Sequence, residues 1–183
     1  MGAIIKEIGV VEIPRRRRTA FDELIRIILG QQLSGASAVS IYRRVKAACG
    51  EAGLTADRLD KLSDKQIKAA GVSTPKLRTM RNIVRSIEDG SLNLRRIAHL
   101  EDERAFEELT AVKGIGPWTA NIYLMFVLGR PDVFPSTDLG IVTTMRRVYG
   151  IKGTDKQLDR IAERWRPYRS VACWYLWQSA RRP

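Results

Sequence analysis

The sequence predicts an all-helical fold. Apolar residues recur at spacings of three and four along most of the chain after residue 19, which is the pattern of amphipathic helices. Helix-start signals precede several of these stretches. The one candidate strand, residues 3–13, has no segment that clearly pairs with it. The length of 183 residues suffices for one domain or for two small halves that share a cleft.

The charge of the chain favours a polyanionic partner. Lys and Arg number 32 against 20 Asp and Glu, which gives a formal net charge of +12 at pH 7. Nucleic acid is the first such partner to consider, and acidic substrates and membrane surfaces are the alternatives. Hydrophobic residues make up 44% and charged residues 28% of the chain, a globular composition that argues against disordered and fibrous proteins.

The cysteines exclude two kinds of metal centre. Cys49 and Cys173 are the only two, and they form no CxxC pair, so the chain lacks the ligands of a zinc finger or an iron–sulfur cluster. No segment approaches the ~18 apolar residues of a membrane span, and the first residues lack the apolar core of a signal peptide. We therefore expect a soluble intracellular protein with reduced thiols.

The helices of the first half are marked by their start and stop signals. Three residue pairs have the spacing of a capping box: Thr19 with Asp22, Ser63 with Gln66, and Thr154 with Gln157. Pro75, which follows Thr74, is predicted to be the first residue of a helix, and Gly90 is predicted to end that helix. A further apolar stripe occupies residues 38–48.

The most apolar helix opens the second half. Residues 118–129 are apolar nearly all round, which predicts a helix buried in the centre of its domain. The Pro- and Gly-rich residues 129–138 predict a crossing between two lobes. The helix after it is predicted to have a core face made of Leu139, Val142, Met145 and Val148. Two more helices follow, and the last carries Trp174 and Trp177.

The segment LTAVKGIGPWTAN, residues 109–121, predicts a helical hairpin. One helix ends near Val112, and the next begins at or just after Pro117. Between them, Gly114 and Gly116 allow a tight turn whose amides open at a helix N-terminus, a geometry that suits a phosphate oxygen. The alternative is a glycine C-cap that only joins two packed helices.

An aspartate follows the hairpin at the start of another predicted helix. In DVFPSTD, Thr137 is the expected N-cap and Asp138 the first helical residue. The helix dipole and free amides keep such a carboxylate charged, so that it can stabilise a developing cation or accept a proton from water. The alternative is an acidic residue that only complements the dipole.

Four segments together resemble a known family. They are ILGQQLSGASA, KGIGPWTAN, DVFPSTD and WRPYRSVACWYLW, and the match runs from about residue 19 to the C-terminus. The sequence resembles the helix-hairpin-helix (HhH-GPD) DNA glycosylase superfamily, and within it the alkylation-repair branch, the 3-methyladenine DNA glycosylase II type. The β-domain that precedes this region in some relatives has no counterpart in the chain.

The resemblance implies two helical lobes that flank a DNA-binding cleft. One is a six-helix lobe of residues 20–130 with the helix-hairpin-helix at about 107–128. The other combines residues 1–19 with 131–183 and carries the catalytic aspartate and the C-terminal tryptophan.

The resemblance also implies roles for individual residues. Asp138 falls on the catalytic aspartate, and Trp118 and Trp177 fall on aromatic positions that line the pocket for the damaged base. Each tryptophan taken singly is alternatively a core residue. Trp118 also stands where bifunctional relatives carry a nucleophilic lysine, which implies hydrolysis without strand cleavage.

The remaining implied site residues contact the DNA or an ion. The hairpin residues expected at the DNA backbone are Lys113, Gly114, Ile115, Gly116 and Thr119. Gln32 matches the wedge that fills the gap left by a flipped base, and the adjacent Leu33 is the alternative wedge. A monovalent cation, Na⁺ or K⁺, is possible at the backbone carbonyls of Thr110, Val112 and Gly114.

Four further features have simple interpretations. Asp132 is predicted to anchor a loop, and His99 to be a surface or capping residue. The run Arg15–Arg18 and the basic residues after position 131 are either phosphate contacts or a solvated face.

Together, these features imply a monofunctional DNA glycosylase of base excision repair. It would flip alkylated purines, of the 3-methyladenine and 7-methylguanine type, out of duplex DNA and hydrolyse their N-glycosidic bond. The alternatives are a relative for oxidised or mismatched bases and a non-catalytic DNA-binding module. The expected partner is double-stranded DNA with damaged bases, and no membrane. We expect a monomer with no cofactor, in the cytoplasm of a bacterium or archaeon or in the nucleus of a eukaryote.

Overall fold

The structure, a computed structural model, describes residues 1–13, 18–33, 35–151 and 155–180. Within these ranges every regular element is a helix, which confirms the all-helical prediction. In chain order the helices are α1 (Gly2–Ile8), α2 (Ala20–Gly30), α3 (Gly35–Ala48), α4 (Ala56–Lys61), α5 (Asp64–Ala69), α6 (Thr74–Glu88), α7 (Leu94–Ile97), α8 (Asp102–Thr110), α9 (Pro117–Phe126), α10 (Leu139–Tyr149), α11 (Asp155–Glu163) and α12 (Arg169–Ala180).

The chain divides into two compact units. The larger unit is Arg16–Tyr123, and the smaller unit combines Met1–Arg15 with Leu124–Pro183. The described part of the larger unit contains α2 to α8 and most of α9, which is more than the six helices expected for residues 20–130. The additional helices are short segments of four to six residues, too brief to show an apolar period in the sequence.

Helix α2 forms the core of the larger unit. Its residues Leu24, Ile25, Ile28 and Leu29 are fully buried, and it packs against α3, α6 and α7. Burial of each such side chain contributes about 1.5–3 kcal/mol. The buried Asp22 on the same helix accepts a hydrogen bond from the Tyr42 hydroxyl on α3 (2.7 Å), and the Lys46 ammonium group lies 3.9 Å from its other oxygen.

Helix α12 forms the core of the smaller unit, where it packs against α10 and α1. Residues 3–13 do not form the strand expected of them, because Gly2–Ile8 are helix α1. Ile4 of α1 is buried, and the Tyr175 hydroxyl of α12 donates to the Gly9 carbonyl at its end (2.9 Å). Packing against α12 thus overrides the strand preference expected for residues 3–13.

Most helix-start signals act as expected. Ser63 forms a full capping box with Gln66, and the Thr19 hydroxyl accepts from the Asp22 amide (3.2 Å). The predicted cap at Thr154 lies outside the described residues. Helix α6 begins one residue earlier than predicted, with Ser73 as its N-cap and Pro75 at its second position.

The buried face of α10 differs from the predicted one. Ile141, Thr144 and Met145 are its buried residues. Leu139, expected in the core, is 79% exposed. Met145 is buried as predicted, and Val142 and Val148 are half-buried, so the period of the apolar stripe is right but its buried face is centred on Ile141 and Met145.

Candidate functional site

The hairpin between α8 and α9 depends on one glycine. Gly114 has a φ of +103°, and a Cβ on it would lie 2.2 Å from the Thr79 Oγ1 of α6. No other residue fits there without displacing α6 or the turn. A Cβ at Gly116 would meet nothing within 4 Å, so this glycine leaves open space beside the backbone at the start of α9.

The hairpin is held by hydrogen bonds on its inner side. The Ile115 amide donates to the Val112 carbonyl (2.9 Å), and the Asn82 side chain of α6 donates to the Lys113 carbonyl (2.9 Å). Ile115 is buried, whereas the Lys113 side chain is exposed. The turn therefore presents Lys113 outward from a fixed backbone.

Two residues in the first turn of α9 have different surroundings. Trp118 is half-buried, whereas Thr119 is 1% exposed and its hydroxyl accepts from the Gln31 side-chain amide (2.7 Å). The Thr119 side chain is thus engaged inside the unit, and a phosphate contact of this residue is left to its backbone amide.

The predicted wedge residues lie on a tight turn after α2. Gln31 has φ −55° and ψ 130°, Gln32 has φ +54°, and the Leu33 amide approaches the Gly30 carbonyl (3.4 Å). This is a type II turn with Gln32 in the position that glycine normally takes, at a cost of about 1 kcal/mol or more. Both Gln32 and Leu33 are exposed.

Asp138 is the N-cap of α10, not its first helical residue, and Thr137 is not the cap. Its Oδ1 accepts from the Ile141 amide (2.9 Å) and from the Trp177 indole N–H (3.0 Å). The side chain takes the cap because aspartate is among the best N-cap residues, and its position there satisfies an otherwise unpaired helix amide. Asp138 is only 8% exposed.

Trp177 lies in an aromatic cluster of the smaller unit. Its ring is 5.6 Å from that of Phe126 with a 30° tilt, and 6.3 Å from that of Trp174. A Cβ on Gly140 would lie 3.2 Å from Asp138 Oδ1 and 3.5 Å from the Trp177 ring. The absence of a side chain at Gly140 therefore leaves room for Asp138 and Trp177 to meet. The signal in the sequence is a glycine in the first turn of a helix, where alanine would give a more stable helix.

The segment that leads to Asp138 is anchored to the start of α12. The Asp132 carboxylate accepts from Arg166 (2.8 Å) and from Arg169 (2.8 Å), as expected of a loop anchor. Burial raises the pKa of Asp132, but the Arg169 hydrogen bonds and the charges of both arginines outweigh it and hold the pKa below its ordinary value. The Ser170 hydroxyl donates to the Arg130 carbonyl (2.7 Å).

Within each unit, hydrogen bonds connect segments that carry predicted site residues. Asp138 and Trp177 are hydrogen-bonded in the smaller unit. In the larger unit, the turn with Gln32 is joined through Gln31 to the helix that carries Trp118. Gln31 and Gly140 are the contributors that the sequence motifs did not single out.

The described residues contain neither a cluster of metal ligands nor a membrane-spanning helix. No group of three or more His, Cys, Asp or Glu in these ranges is placed to hold a metal ion. Likewise, none of the described helices is both long and apolar enough to cross a membrane. His99 is exposed, as expected of a surface residue.

Residues 25–167 match the family described as "HhH-GPD superfamily base excision DNA repair protein". DNA-3-methyladenine glycosylase 1 of Schizosaccharomyces pombe is 30% identical over 169 residues, which cover 90% of this chain and 74% of that protein. DNA-3-methyladenine glycosylase 2 of Escherichia coli is 30% identical over 167 residues, which cover 86% of this chain and 57% of that protein.

The structure is similar to those of related enzymes. The crystal structure of a DNA-3-methyladenine glycosidase from Bacillus halodurans superimposes with a TM-score of 0.85 and 36% identity, over 98% of this chain and 83% of that chain. The S. pombe 3-methyladenine DNA glycosylase in complex with abasic DNA gives a TM-score of 0.90 with 27% identity, over 99% of this chain and 91% of that chain.

Proposed function

Because the chain belongs to the HhH-GPD superfamily of base excision DNA repair proteins, we propose that it is a DNA glycosylase that excises alkylated purines from double-stranded DNA. Relatives at 30% identity are named DNA-3-methyladenine glycosylases, and a similar structure holds abasic DNA, the product of such a reaction. The observation that carries the proposal is the Asp138 carboxylate, which two donors fix at the start of α10.

Asp138 supplies negative charge for the bond-breaking step. When the N-glycosidic bond of a flipped nucleotide breaks, positive charge develops on the sugar. A buried carboxylate that is already oriented stabilises this charge without reorganising during the reaction. Its Oδ1 is held by Ile141 and Trp177, and the carboxylate also orients or deprotonates the attacking water.

Each of the two tryptophans offers an indole face on which a damaged base can stack. Alkylation at N3 or N7 makes a purine cationic, and an indole face attracts a desolvated cation by about 1–2 kcal/mol. Trp118 and Trp177 are both half-buried, so each keeps part of its ring accessible. The damaged base is also the better leaving group, so a modest preference in binding is enough for selection.

The reaction is hydrolysis that leaves an abasic site and an intact strand. By resemblance, Trp118 stands where bifunctional relatives carry the lysine that attacks the sugar and forms a Schiff base. An indole cannot form a Schiff base. Borohydride added during turnover should therefore not link the protein to DNA. A covalent protein–DNA adduct that disappears on substitution of one lysine would contradict this part of the proposal.

The hairpin binds the DNA backbone, with a monovalent cation as an additional element. Carbonyl oxygens are suitable ligands for hard cations. The Val112 carbonyl accepts the Ile115 amide and keeps a second lone pair, and the neighbouring carbonyls of Thr110 and Gly114 would complete the set. Exchange of K⁺ for a bulky organic cation at constant ionic strength should then weaken binding of duplex DNA.

Substitution of Asp138 tests the function directly. Asp138→Asn should retain binding to a duplex with an abasic-site analogue and lose base release by about a hundredfold or more, the scale for removal of one oriented charged group. Asp57→Asn, an exposed carboxylate on α4, is the matched control. Equal rates for Asp138→Asn and wild type would exclude the proposed role of Asp138.

A panel of lesions tests the substrate class. Duplexes with a single 3-methyladenine, 7-methylguanine, ethenoadenine or 8-oxoguanine would be incubated with the protein, and the liberated base identified. We expect release of the methylated purines. Preferential release of 8-oxoguanine would place the chain in another branch of the superfamily.

A further inference from the structure

One side of α6 contacts both loops that the proposed function places on DNA. Lys76, Thr79 and Asn82 follow one another at intervals of three residues, which puts them on neighbouring positions of the helix surface. Thr79 packs against Gly114, and Asn82 bonds the Lys113 carbonyl, so two of them fix the hairpin.

Lys76 fixes the other loop. Its ammonium group donates to the Leu29 carbonyl and to the Gln31 carbonyl, both at 2.8 Å. These carbonyls belong to the C-terminal end of α2, where the helix dipole is negative and carbonyl groups lack partners within the helix. The ammonium group is thus directed at the turn that carries Gln32 and Leu33.

A second contact ties the same turn to α9. The Gln31 side chain donates to the buried Thr119 hydroxyl, next to Trp118. The turn is therefore held from two directions, through the backbone of Gln31 by Lys76 and through its side chain by Thr119. Gln32, with its left-handed conformation, directly follows the residue that makes both attachments.

We propose that Lys76 is a positioning residue for base flipping, which holds the Gly30–Leu33 turn at a fixed distance from the hairpin so that Gln32 or Leu33 enters the DNA stack. This inference rests on the proposed function. All of its parts lie within the larger unit. Lys76 acts through backbone carbonyls and not through a phosphate, and its partial burial, which lowers the pKa of the amine, agrees with that role.

Lys76→Met is the direct test, because methionine keeps much of the length of the side chain and removes its donors. A duplex with 2-aminopurine next to the lesion reports flipping by fluorescence, and single-turnover base release reports the chemical step. We expect both rates to fall about tenfold or more, as small displacements of positioning groups do. The Kd for a duplex with an abasic-site analogue should change less than about threefold, since that site has no base to extrude.

Lys65→Met is the matched control, because it removes one exposed positive charge from the neighbouring α5. It should leave flipping and base release unchanged. Lys76→Arg retains donors for the two carbonyls and should restore much of the flipping rate that Lys76→Met loses. Should Lys76→Met fail to fold, Lys76→Gln, whose shorter side chain draws the donor back from the two carbonyls, gives the decisive flipping measurement.

The outcomes separate the inference from the function on which it rests. If wild type releases methylated purines and Lys76→Met does so at the rate of Lys65→Met, the positioning role is wrong and the glycosylase function stands. If Lys76→Met instead weakens binding of undamaged duplex and lowers the salt dependence by about one counterion, Lys76 is a phosphate contact and the inference is overturned. An inactive wild-type protein would remove the proposed function itself.

Discussion

At the scale of single residues, the Asp138 carboxylate and the Trp177 indole form one hydrogen-bonded pair. The same Oδ1 that caps α10 accepts the indole N–H, so the orientation of the carboxylate depends on two elements of the smaller unit. Gly140 keeps the space between them free of a side chain. Trp177 is therefore both a candidate wall of the base pocket and a donor to the candidate catalytic group.

Trp177→Phe separates these two roles. Phenylalanine keeps an aromatic face but removes the N–H, and loss of a hydrogen bond to a charged group costs about 1.5–3 kcal/mol. We expect single-turnover base release to fall about ten- to hundredfold with a smaller change in affinity for the abasic-analogue duplex.

Trp174→Phe is the control for this substitution. Trp174 packs on the same rings, 5.6 Å from Phe126 and 6.3 Å from Trp177. It should alter thermal stability more than rate. If Trp174→Phe and Trp177→Phe reduce the rate equally, the loss comes from packing of the cluster and not from the bond to Asp138.

At the scale of elements, the sequence predicted those features that depend on neighbouring residues. The caps at Thr19 and Ser63, the buried α9 and the hairpin around Gly114 were correct, because each is signalled by residues within a few positions of one another in the sequence. The roles of Asp138 and Trp177 rested on resemblance and stay predictions.

The features that the sequence did not predict depend on distant partners. Residues 3–13 have the composition of a strand, and packing against the distant helix α12 accompanies the helix of Gly2–Ile8. Nothing in the neighbouring sequence predicts the left-handed backbone of Gln32, since glycine is the usual residue at such a position. The turn that contains Gln32 is held by Lys76, which lies 45 positions from Gln31 in the sequence. The short helix α7 has too few turns to display a period.

The contact between Tyr42 of α3 and Asp22 of α2 should make the free energy of unfolding fall at alkaline pH. Burial, the hydrogen bond to Asp22 and the charge of that carboxylate raise the pKa of Tyr42 to about 12. The unfolded chain titrates near 10, so the folded state retains the proton more tightly. This contribution, about 2–3 kcal/mol, is complete below pH 10 and is lost as the pH rises from 10 to 12.

Tyr42→Phe provides the comparison. At pH 7 it should be less stable than wild type, because the buried Asp22 loses the hydroxyl that satisfies it. The difference in the free energy of unfolding, measured by urea denaturation at pH 7, 9 and 11, should shrink at the highest pH. A constant difference over this range would show that Tyr42 does not titrate as proposed.

At the scale of the whole molecule, the net charge of +12 favours association with DNA before any lesion is recognised. Binding of undamaged duplex should weaken linearly on a plot of log Kd against log salt concentration. Lys113→Ala should lower the slope by about 1, since the exposed lysine extends from the fixed hairpin.

The effect on chemistry should differ from the effect on binding. With protein in excess over a lesion duplex at low salt, Lys113→Ala should release the base at the wild-type rate. Lys65→Ala, on α5, removes the same charge away from the hairpin. It should leave the slope of log Kd against log salt concentration unchanged if the hairpin, and not the total charge, contacts the phosphates. Equal slopes for all three proteins would assign salt dependence to residues other than Lys113.

The smaller unit joins the first residues of the chain to the last, and this determines the order in which the protein is assembled during synthesis. The larger unit is one continuous stretch and can fold as soon as it leaves the ribosome. Helix α1 emerges before the larger unit but has to wait for α12, against which its buried face packs. Until α12 has been synthesised, Ile4 lacks the helix against which α1 packs, and the candidate catalytic aspartate has no indole to hold it. Nascent chains that stop before α12 would therefore display an intact hairpin and wedge without the completed reaction centre.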